Sequence, residues 1–311
     1  MNEQNTVPQA GRRLIGLYPA RYRELYGEDI AATFAEVTEG LTGRALLRER
    51  LDLASHALRL RLGIASTDPA GRILAGAAPI ALALGAGVCV SDLLWIMRDF
   101  VPVFTHARPG QVVRGTLVFV LAFIPWITAL LCAATGRWRP ARAAAVLAVA
   151  LDLVFSGLIL TVGYGTLGEL CRVGGLAALV LLAPPDLVDT ARRGRRTVVA
   201  VAVTTALTLT WVWAIPIAEW RPYIVASLAD LWLFVAVAAL LVVHLSARRP
   251  DRLRCVGIAL AAVPWLLEYS AGGNAEQAVV GFTVLIGGAF AVGGVVQLIR
   301  RMLGTEPAEP A

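Results

Sequence analysis

Four acidic residues of this 311-residue chain lie inside long apolar segments, where an ionisable group is costly. Asp152 falls roughly 15 Å into its segment at the helical rise of about 1.5 Å per residue, near the middle of a ~30 Å hydrocarbon layer. By the same rise Asp230 lies about 12 Å from one end of its segment, while Asp92 and Glu268 lie in the outer parts of theirs. Acids at such depths are candidates for a proton, ion or substrate pathway, lining a cavity open to one side.

A purely structural role is the alternative for each of these carboxyl groups. A protonated carboxyl, or one bonded to Ser, Thr or backbone groups of a neighbouring helix, is tolerated in a bilayer without any chemistry. Asp92 and Glu268 are close enough to the segment ends to be solvated. No Arg or Lys falls at the depth of Asp152, so a neutral carboxyl is expected there. Both roles remain open at the level of sequence.

Other catalytic and metal-binding signatures are missing from the sequence. It contains no HExxH, GxSxG or Walker A motif. The histidines His56, His106 and His244 have no metal-ligand spacing, and the four cysteines are scattered without a CxxC pair. We therefore expect no enzyme activity, no cofactor and no metal.

The segments that hold the acids make the chain far more apolar than a soluble domain. Hydrophobic residues account for 58% and charged residues for 16%, with a mean hydropathy of +0.69. Most of the segments are long enough to cross a bilayer as helices. They lie at 73–97, 113–134, 143–163, 166–184, 197–219, 222–246, 255–271 and 277–299. The predicted fold class is all-α: a polytopic helical membrane protein with about eight transmembrane helices, preceded by a small cytoplasmic helical module.

Arginine placement predicts the topology. With eight crossings, fourteen arginines fall in cytoplasmic turns and five in external turns, as the positive-inside rule requires. Glu169 and Arg172 interrupt the fourth segment and could pair on one helix face, but omitting that crossing would place the arginine-rich turns after Ser246 and Ile299 outside. Both termini are thus predicted to be cytoplasmic, in a multi-pass protein of the plasma membrane. These arginines serve topology and lipid contact, so direct nucleic-acid binding is not expected.

Prolines and small residues within the segments suggest two further features. Pro79, Pro125, Pro216 and Pro264 indicate helix kinks or, alternatively, broken helices around a substrate. The run GGAFAVGG at 287–294 favours close helix packing, either within the chain or between the copies of a homo-oligomer.

An amphipathic helical pattern precedes the membrane segments. Pro19 suits the first turn of a helix and Gly40 suits its end. Apolar side chains recur at three- and four-residue spacing between them, which predicts one apolar face. That face is a candidate partner-binding surface and comprises Tyr22, Tyr26, Ile30, Phe34 and Val37.

A further helix is predicted from Thr42, as N-cap, to about Gly63. Leu47, Leu51 and Leu58 share one face of it and are expected to cover part of the preceding apolar face. Its arginines either form a solvated surface or lie against anionic lipid head groups. The predicted organisation is a disordered tail at 1–10, the module at 11–63, a linker at 64–71, the eight-helix membrane domain at 72–301 and a disordered cytoplasmic tail at 302–311.

The stretch RLIGLYPARYRELYGEDIAATFAEVTEGL, residues 13–41, resembles the N-terminal helical module of bacterial membrane proteins of the HAAS-like and permease-prefix type. The matching features are Leu-Tyr-Pro at 17–19, Arg-Tyr-Arg at 21–23 and Tyr-Gly-Glu at 26–28, followed by an amphipathic helix. Proteins of that kind look like partners of PadR-type winged-helix regulators or prefixes of ABC-type permeases. The resemblance implies no catalytic residue, and the chain lacks the large external domain that usually accompanies the prefix in exporter-type permeases.

Two functional hypotheses follow from these features. In the first, the protein is regulatory: the module binds a cytosolic regulatory protein of the PadR type, while the membrane helices sense a ligand, a lipid or the state of the envelope. In the second, it is a transporter or ABC-type permease subunit that uses the intramembrane acids. An intramembrane enzyme is the least supported reading. The lipid bilayer is a partner in either case.

Overall fold

The computed structural model describes residues 14–104, 109–160, 167–214, 222–247, 250–271 and 275–302. Every regular element in these ranges is a helix. The described residues form two compact units, divided between Gly71 and Arg72. The predicted tail at 1–10 and residues 303–311 of the tail predicted at 302–311 lie outside the described residues, as do His106 and Pro216, whereas Met302 ends a helix.

The first unit is built on two helices, α1 (Ala20–Thr38) and α2 (Gly43–Leu62). Helix α1 begins directly after Pro19, whose fixed φ of −54° leads the chain into the first turn. Helix α2 ends at Gly63, whose φ of +65° is the left-handed conformation that glycine adopts without steric cost. There the Gly63 and Ile64 amides donate to the carbonyls of Leu60 and Arg59, which closes the helix end.

The predicted start of α2 is confirmed: Thr42 occupies the N-cap position with extended backbone, although its side chain makes no capping hydrogen bond. The predicted packing of α2 is wrong. Leu47, Leu51 and Leu58 do not cover α1: each is more than half exposed. Helix α2 turns a neighbouring face toward α1, with Ala57 fully buried and Leu53 half-buried.

The second unit contains nine of the described helices. In chain order they are α3 (Pro69–Phe104), α4 (Pro109–Ala134), α5 (Trp138–Leu160), α6 (Leu167–Leu182), α7 (Arg192–Ala214), α8 (Pro222–Leu245), α9 (Arg252–Leu260), α10 (Val263–Ala271) and α11 (Ala275–Met302). Each of the eight predicted apolar segments falls on one helix, except 255–271, which falls on the pair α9 and α10. The chain breaks there at Ala261 and Ala262, just before Pro264, because proline cannot donate the backbone hydrogen bond that would continue α9. Pro125, in contrast, lies inside the continuous helix α4.

Helix α3 is the centre of this unit. Its residues from Ala81 to Leu84 are fully buried, and small residues let its neighbours approach closely. A Cβ atom at Gly85 would lie 3.2 Å from both Trp126 and Leu176, so α4 and α6 pack on this part of α3. A Cβ atom at Gly87 would lie 2.7 Å from the carbonyl oxygen of Ala202 in α7.

Two helical stretches among the described residues are long and apolar enough to cross a membrane. They are Pro69–Trp95 and Val279–Ile299, each with a hydropathy of 2.2. Over an 18-residue apolar stretch of each helix, 78% of the first is buried inside the protein, whereas only 17% of the second is. Shorter apolar helical stretches are Phe123–Ala134, Leu170–Leu182 and Phe234–Leu245. The part of the chain that the structure describes is therefore helical and contains two helices that could span a membrane, and the eight-crossing topology remains a prediction.

Candidate functional site

A groove between α1 and α2 is the first candidate site. Its volume is about 380 Å³, and all five residues of the predicted partner-binding face line it. Phe34 is buried at its floor, with 9% of its surface exposed, whereas Tyr26 and Val37 are each about half exposed (48% and 49%). Tyr22 and Ile30 are half-buried between them. The groove thus presents an apolar, open surface to solvent.

Three tyrosines form one side of this groove. Their spacing of four residues places them on successive turns, Tyr18 just before α1 and Tyr22 and Tyr26 within it. The rings of Tyr18 and Tyr22 stack with centroids 5.5 Å apart, and those of Tyr22 and Tyr26 lie 4.9 Å apart. These contacts pack the three rings as a ladder along one wall of the groove.

Tyr18 anchors the ladder to α2. Its hydroxyl lies 3.0 Å from Nδ1 of His56, and the two rings are in tilted contact with centroids 5.7 Å apart. Burial raises the pKa of Tyr18 to about 12, with a further contribution from neighbouring Tyr22 and a smaller opposing one from Arg59. The phenol therefore stays neutral at physiological pH and can donate to a neutral His56.

Three acidic residues also line the groove, together with Thr33 and Leu53. Asp29 comes from α1, and Glu49 and Asp52 come from α2. No arginine is found among the described residues that line the groove, although both helices carry several. An apolar aromatic surface edged by three carboxylates favours a ligand that is apolar and basic.

The second candidate site contains the acids of the apolar segments. Asp152 is half-buried in α5, and its Oδ2 accepts a hydrogen bond of 3.1 Å from the indole Nε1 of Trp126 in α4. Asp92, Asp152 and Arg172 all lie within electrostatic range of the buried thiol of Cys89 on α3. This arrangement brings together two of the predicted acids.

Glu268 belongs to an ion pair at the contact of α6 and α10. Its Oε2 lies 3.4 Å from Nε of Arg172, and both side chains are largely shielded from solvent. The expected partner of Arg172 was Glu169, whose side chain lies outside the described residues. The chain can fold this way because Gly168 allows α6 to approach the backbone of Glu268: a Cβ atom there would lie 2.4 Å from the carbonyl oxygen.

The remaining acid, Asp230, lies in α8, but its side chain is outside the described residues. Among the described residues, two of the predicted acids thus make polar contacts: Asp152 with Trp126, and Glu268 with Arg172.

Sequence reasoning missed three of the residues that build these sites. Trp126 was not associated with Asp152, because a separation of 26 residues carries no local signal. The sequence shows no partner for His56, which has no metal-ligand spacing, yet in the structure this side chain lies within hydrogen-bond distance of the Tyr18 hydroxyl. Arg172 was considered only with its helical neighbour, although the helix i, i+3 rule describes a weak preference that tertiary contacts override.

Comparison of the chain with protein-family models, curated proteins and solved structures gives no significant match. The resemblance of residues 13–41 to the HAAS-like and permease-prefix module therefore stays a prediction, carried by those residues alone.

Proposed function

We propose that this chain is a multi-pass membrane protein with a regulatory role, whose N-terminal module binds a cytosolic protein through the groove between α1 and α2. The observation that carries this proposal is the groove itself, which has an aromatic wall and a volume of about 380 Å³ and is open to solvent. Open apolar grooves of this kind on small helical units are typical sites for an amphipathic helix.

The chemistry of the lining narrows the class of partner. A helix with apolar residues at i, i+3 and i+7 would place them over Phe34 and Val37. Arginine or lysine on its flanks would meet Asp29 and Asp52, and could also stack on the tyrosine faces. A regulator of the PadR type is the partner that the resemblance implies, and the groove adds the expectation of a basic amphipathic helix on that regulator.

The membrane placement rests on arginine asymmetry and on the eight apolar segments, of which two form helices long enough to cross. In this topology both termini, and hence the groove, face the cytosol. Eight crossings also explain why the second unit keeps many large apolar side chains exposed.

Photo-crosslinking in living cells tests the proposal on the full chain. A photoreactive amino acid at Thr33, an exposed residue that lines the groove, should link to one cytosolic protein, identified by mass spectrometry as a winged-helix regulator. Val37→Glu should reduce the yield of this adduct about tenfold, because it adds a like charge to the acidic groove.

Leu25 supplies the matched control. It is exposed on the same helix but does not line the groove, so Leu25→Glu should leave the adduct unchanged. Adducts with lipid alone, or equal losses from both substitutions, would contradict a protein-binding groove and favour a membrane-surface anchor instead.

Transport is the second candidate function, and the Asp152–Trp126 hydrogen bond and Arg172–Glu268 ion pair favour it. Ionisable side chains inside an apolar helical unit are typical of proton or ion pathways. The same contacts are also compatible with a purely structural polar network, and the substitution of Asp152 considered below separates the two.

A further inference from the structure

Helix α7 carries a continuous apolar stripe on its exposed side. Val199, Val203, Leu207 and Trp211 follow one another at four-residue steps and are 39–64% exposed. At about 1.5 Å per residue the stripe is ~18 Å long, similar to the depth of one leaflet of the ~30 Å hydrocarbon layer. Such a face suits contact with acyl chains.

Three arginines stand at the first turns of the same helix. Arg192, Arg195 and Arg196 border a groove of about 480 Å³, whose deeper wall is formed by Val199, Ala200 and Val203, with Ala134 of α4 opposite. None of the described residues that line this groove is acidic.

Within the described ranges, none of the three groove arginines forms an ion pair with an acidic side chain. Nη1 of Arg195 donates to the carbonyl of Thr135 across the groove, at 3.5 Å. Asp189, the acid just before α7, is engaged elsewhere: it accepts from the Ala191 amide and lies 3.9 Å from Arg254. The basic rim is therefore available to an anion.

We propose that this groove is a binding site for an anionic phospholipid, whose phosphate lies among Arg192, Arg195 and Arg196 and whose acyl chain follows the stripe from Val199. The inference rests on the proposed membrane location, but not on the proposed protein partner. A soluble phosphate would use only the arginines, whereas a phospholipid uses the basic rim and the apolar wall together. The continuity of rim, groove and stripe on one helix therefore selects the lipid.

Native mass spectrometry of the full chain in detergent, titrated with dioleoyl phosphatidylglycerol, tests this site. Replacing Arg192, Arg195 and Arg196 together with Gln should weaken binding about tenfold or more, because the basic residues of the rim attract the anionic head group. Gln at Arg137, Arg139 and Arg252 removes the same charge from exposed positions outside the groove and should change binding less than about twofold. Equal losses in the two triple variants would overturn the site in favour of general charge attraction.

A second pair of variants keeps every charge. Ala200→Trp should fill the apolar wall and weaken phosphatidylglycerol binding several-fold, while Val284→Trp, at an exposed position of α11 outside both the groove and the stripe, should not. Glycerol phosphate should fail to displace the lipid. Displacement at equal concentration, or no effect of Ala200→Trp, would overturn the lipid as occupant.

The outcomes separate this site from the membrane placement. A wild-type chain that is soluble without detergent and retains no lipid would contradict the membrane location, and the site with it. Equal binding of phosphatidylglycerol by the wild type and by the triple variant of the groove arginines would contradict the site alone. Crosslinking at Thr33 in the triple variant then reports the protein partner independently.

Discussion

The two units expose apolar surface of different kinds. In the second unit the exposed large residues are mostly aliphatic and form open helix faces, as on α7 and on α11, where Val284 is 63% exposed. In the first unit the exposed surface is a groove with an aromatic wall and three carboxylates at its edge. An aliphatic helix face has few features that a specific protein partner could recognise, so it suits lipid. An aromatic groove with charged edges can select a partner by its shape and by the sign of its charge.

The amount of exposed apolar surface is therefore less informative than its borders. Exposure alone would predict a binding surface on both units, since Leu62 in the first and Leu207 in the second are each more than half exposed. Carboxylates edge the groove of the first unit, and arginines edge the stripe of α7. These opposite signs predict opposite ligands: a basic helix for one and an anionic lipid for the other.

The largest effect on stability is expected inside the second unit, where helix backbones approach each other closely. A Cβ atom at Gly257 would lie 2.3 Å from the carbonyl oxygen of Ile73, a backbone atom that cannot move aside. We expect Gly257→Ala to lower the free energy of unfolding by about 3 kcal/mol or to prevent folding. Thermal unfolding in detergent, followed by size-exclusion chromatography, measures this loss.

Gly287→Ala is the matched control on the exposed side of α11, where a Cβ atom would meet nothing within 4 Å. It should leave the unfolding temperature unchanged. A similar loss at Gly287 would show that this face is packed, as in a homo-oligomer formed through the small-residue run at 287–294.

The next effect concerns polar groups placed in apolar surroundings. Trp126→Phe removes the indole donor and leaves the Asp152 carboxyl without that hydrogen bond, so stability should fall by about 1–3 kcal/mol. Asp152→Asn keeps an oxygen that can accept from Trp126 and should be nearly neutral in stability.

Asp152→Asn also separates the two candidate functions. A transporter that moves protons through Asp152 should lose flux in proteoliposomes while folding normally, because the amide cannot exchange a proton. Unchanged flux, with stability lost only in Trp126→Phe, would assign the pair a structural role and remove the main support for transport.

Local pattern predicted much of this architecture. Apolar segment length placed the helices of the second unit, and Pro264 indicated the break between α9 and α10. The apolar face of α1 was also predicted, and its five residues line the groove. Periodicity could not predict which face of α2 meets α1, because two faces of that helix carry leucines. The contact of Tyr18 with His56, 38 residues apart, accompanies the burial of Ala57 rather than of Leu58.

A smaller effect is expected from the tyrosine anchor of the groove. Because the pKa of Tyr18 is raised to about 12 from an ordinary value near 10, its contribution to stability is complete below pH 10 and is lost as the pH rises toward 12. The absorbance difference at 295 nm between the wild type and Tyr18→Phe should thus titrate near pH 12. Titration near pH 10 would mean that Tyr18 is solvated and that the ladder is not anchored.

The smallest effect should come from the leucines that α2 exposes away from the groove. Leu51 and Leu58 are 61% and 52% exposed, so replacing both with Gln should change the free energy of unfolding by less than about 0.5 kcal/mol. Leu53 lines the groove from the same helix and is half-buried, so Leu53→Gln should cost more stability and also weaken crosslinking at Thr33.

The exposed leucines lie on a helix that also carries exposed Arg44 and Arg48, the composition of a membrane-surface helix. Flotation of the full chain with vesicles cannot test this, because the second unit is itself expected to insert; fluorescence quenching by bromolipid of a single probe at position 51 can. Quenching there, but not at position 33, would give the module a lipid-facing side and a protein-facing side. Equal quenching at both positions would remove the distinction between the two surfaces on which the proposed partner depends.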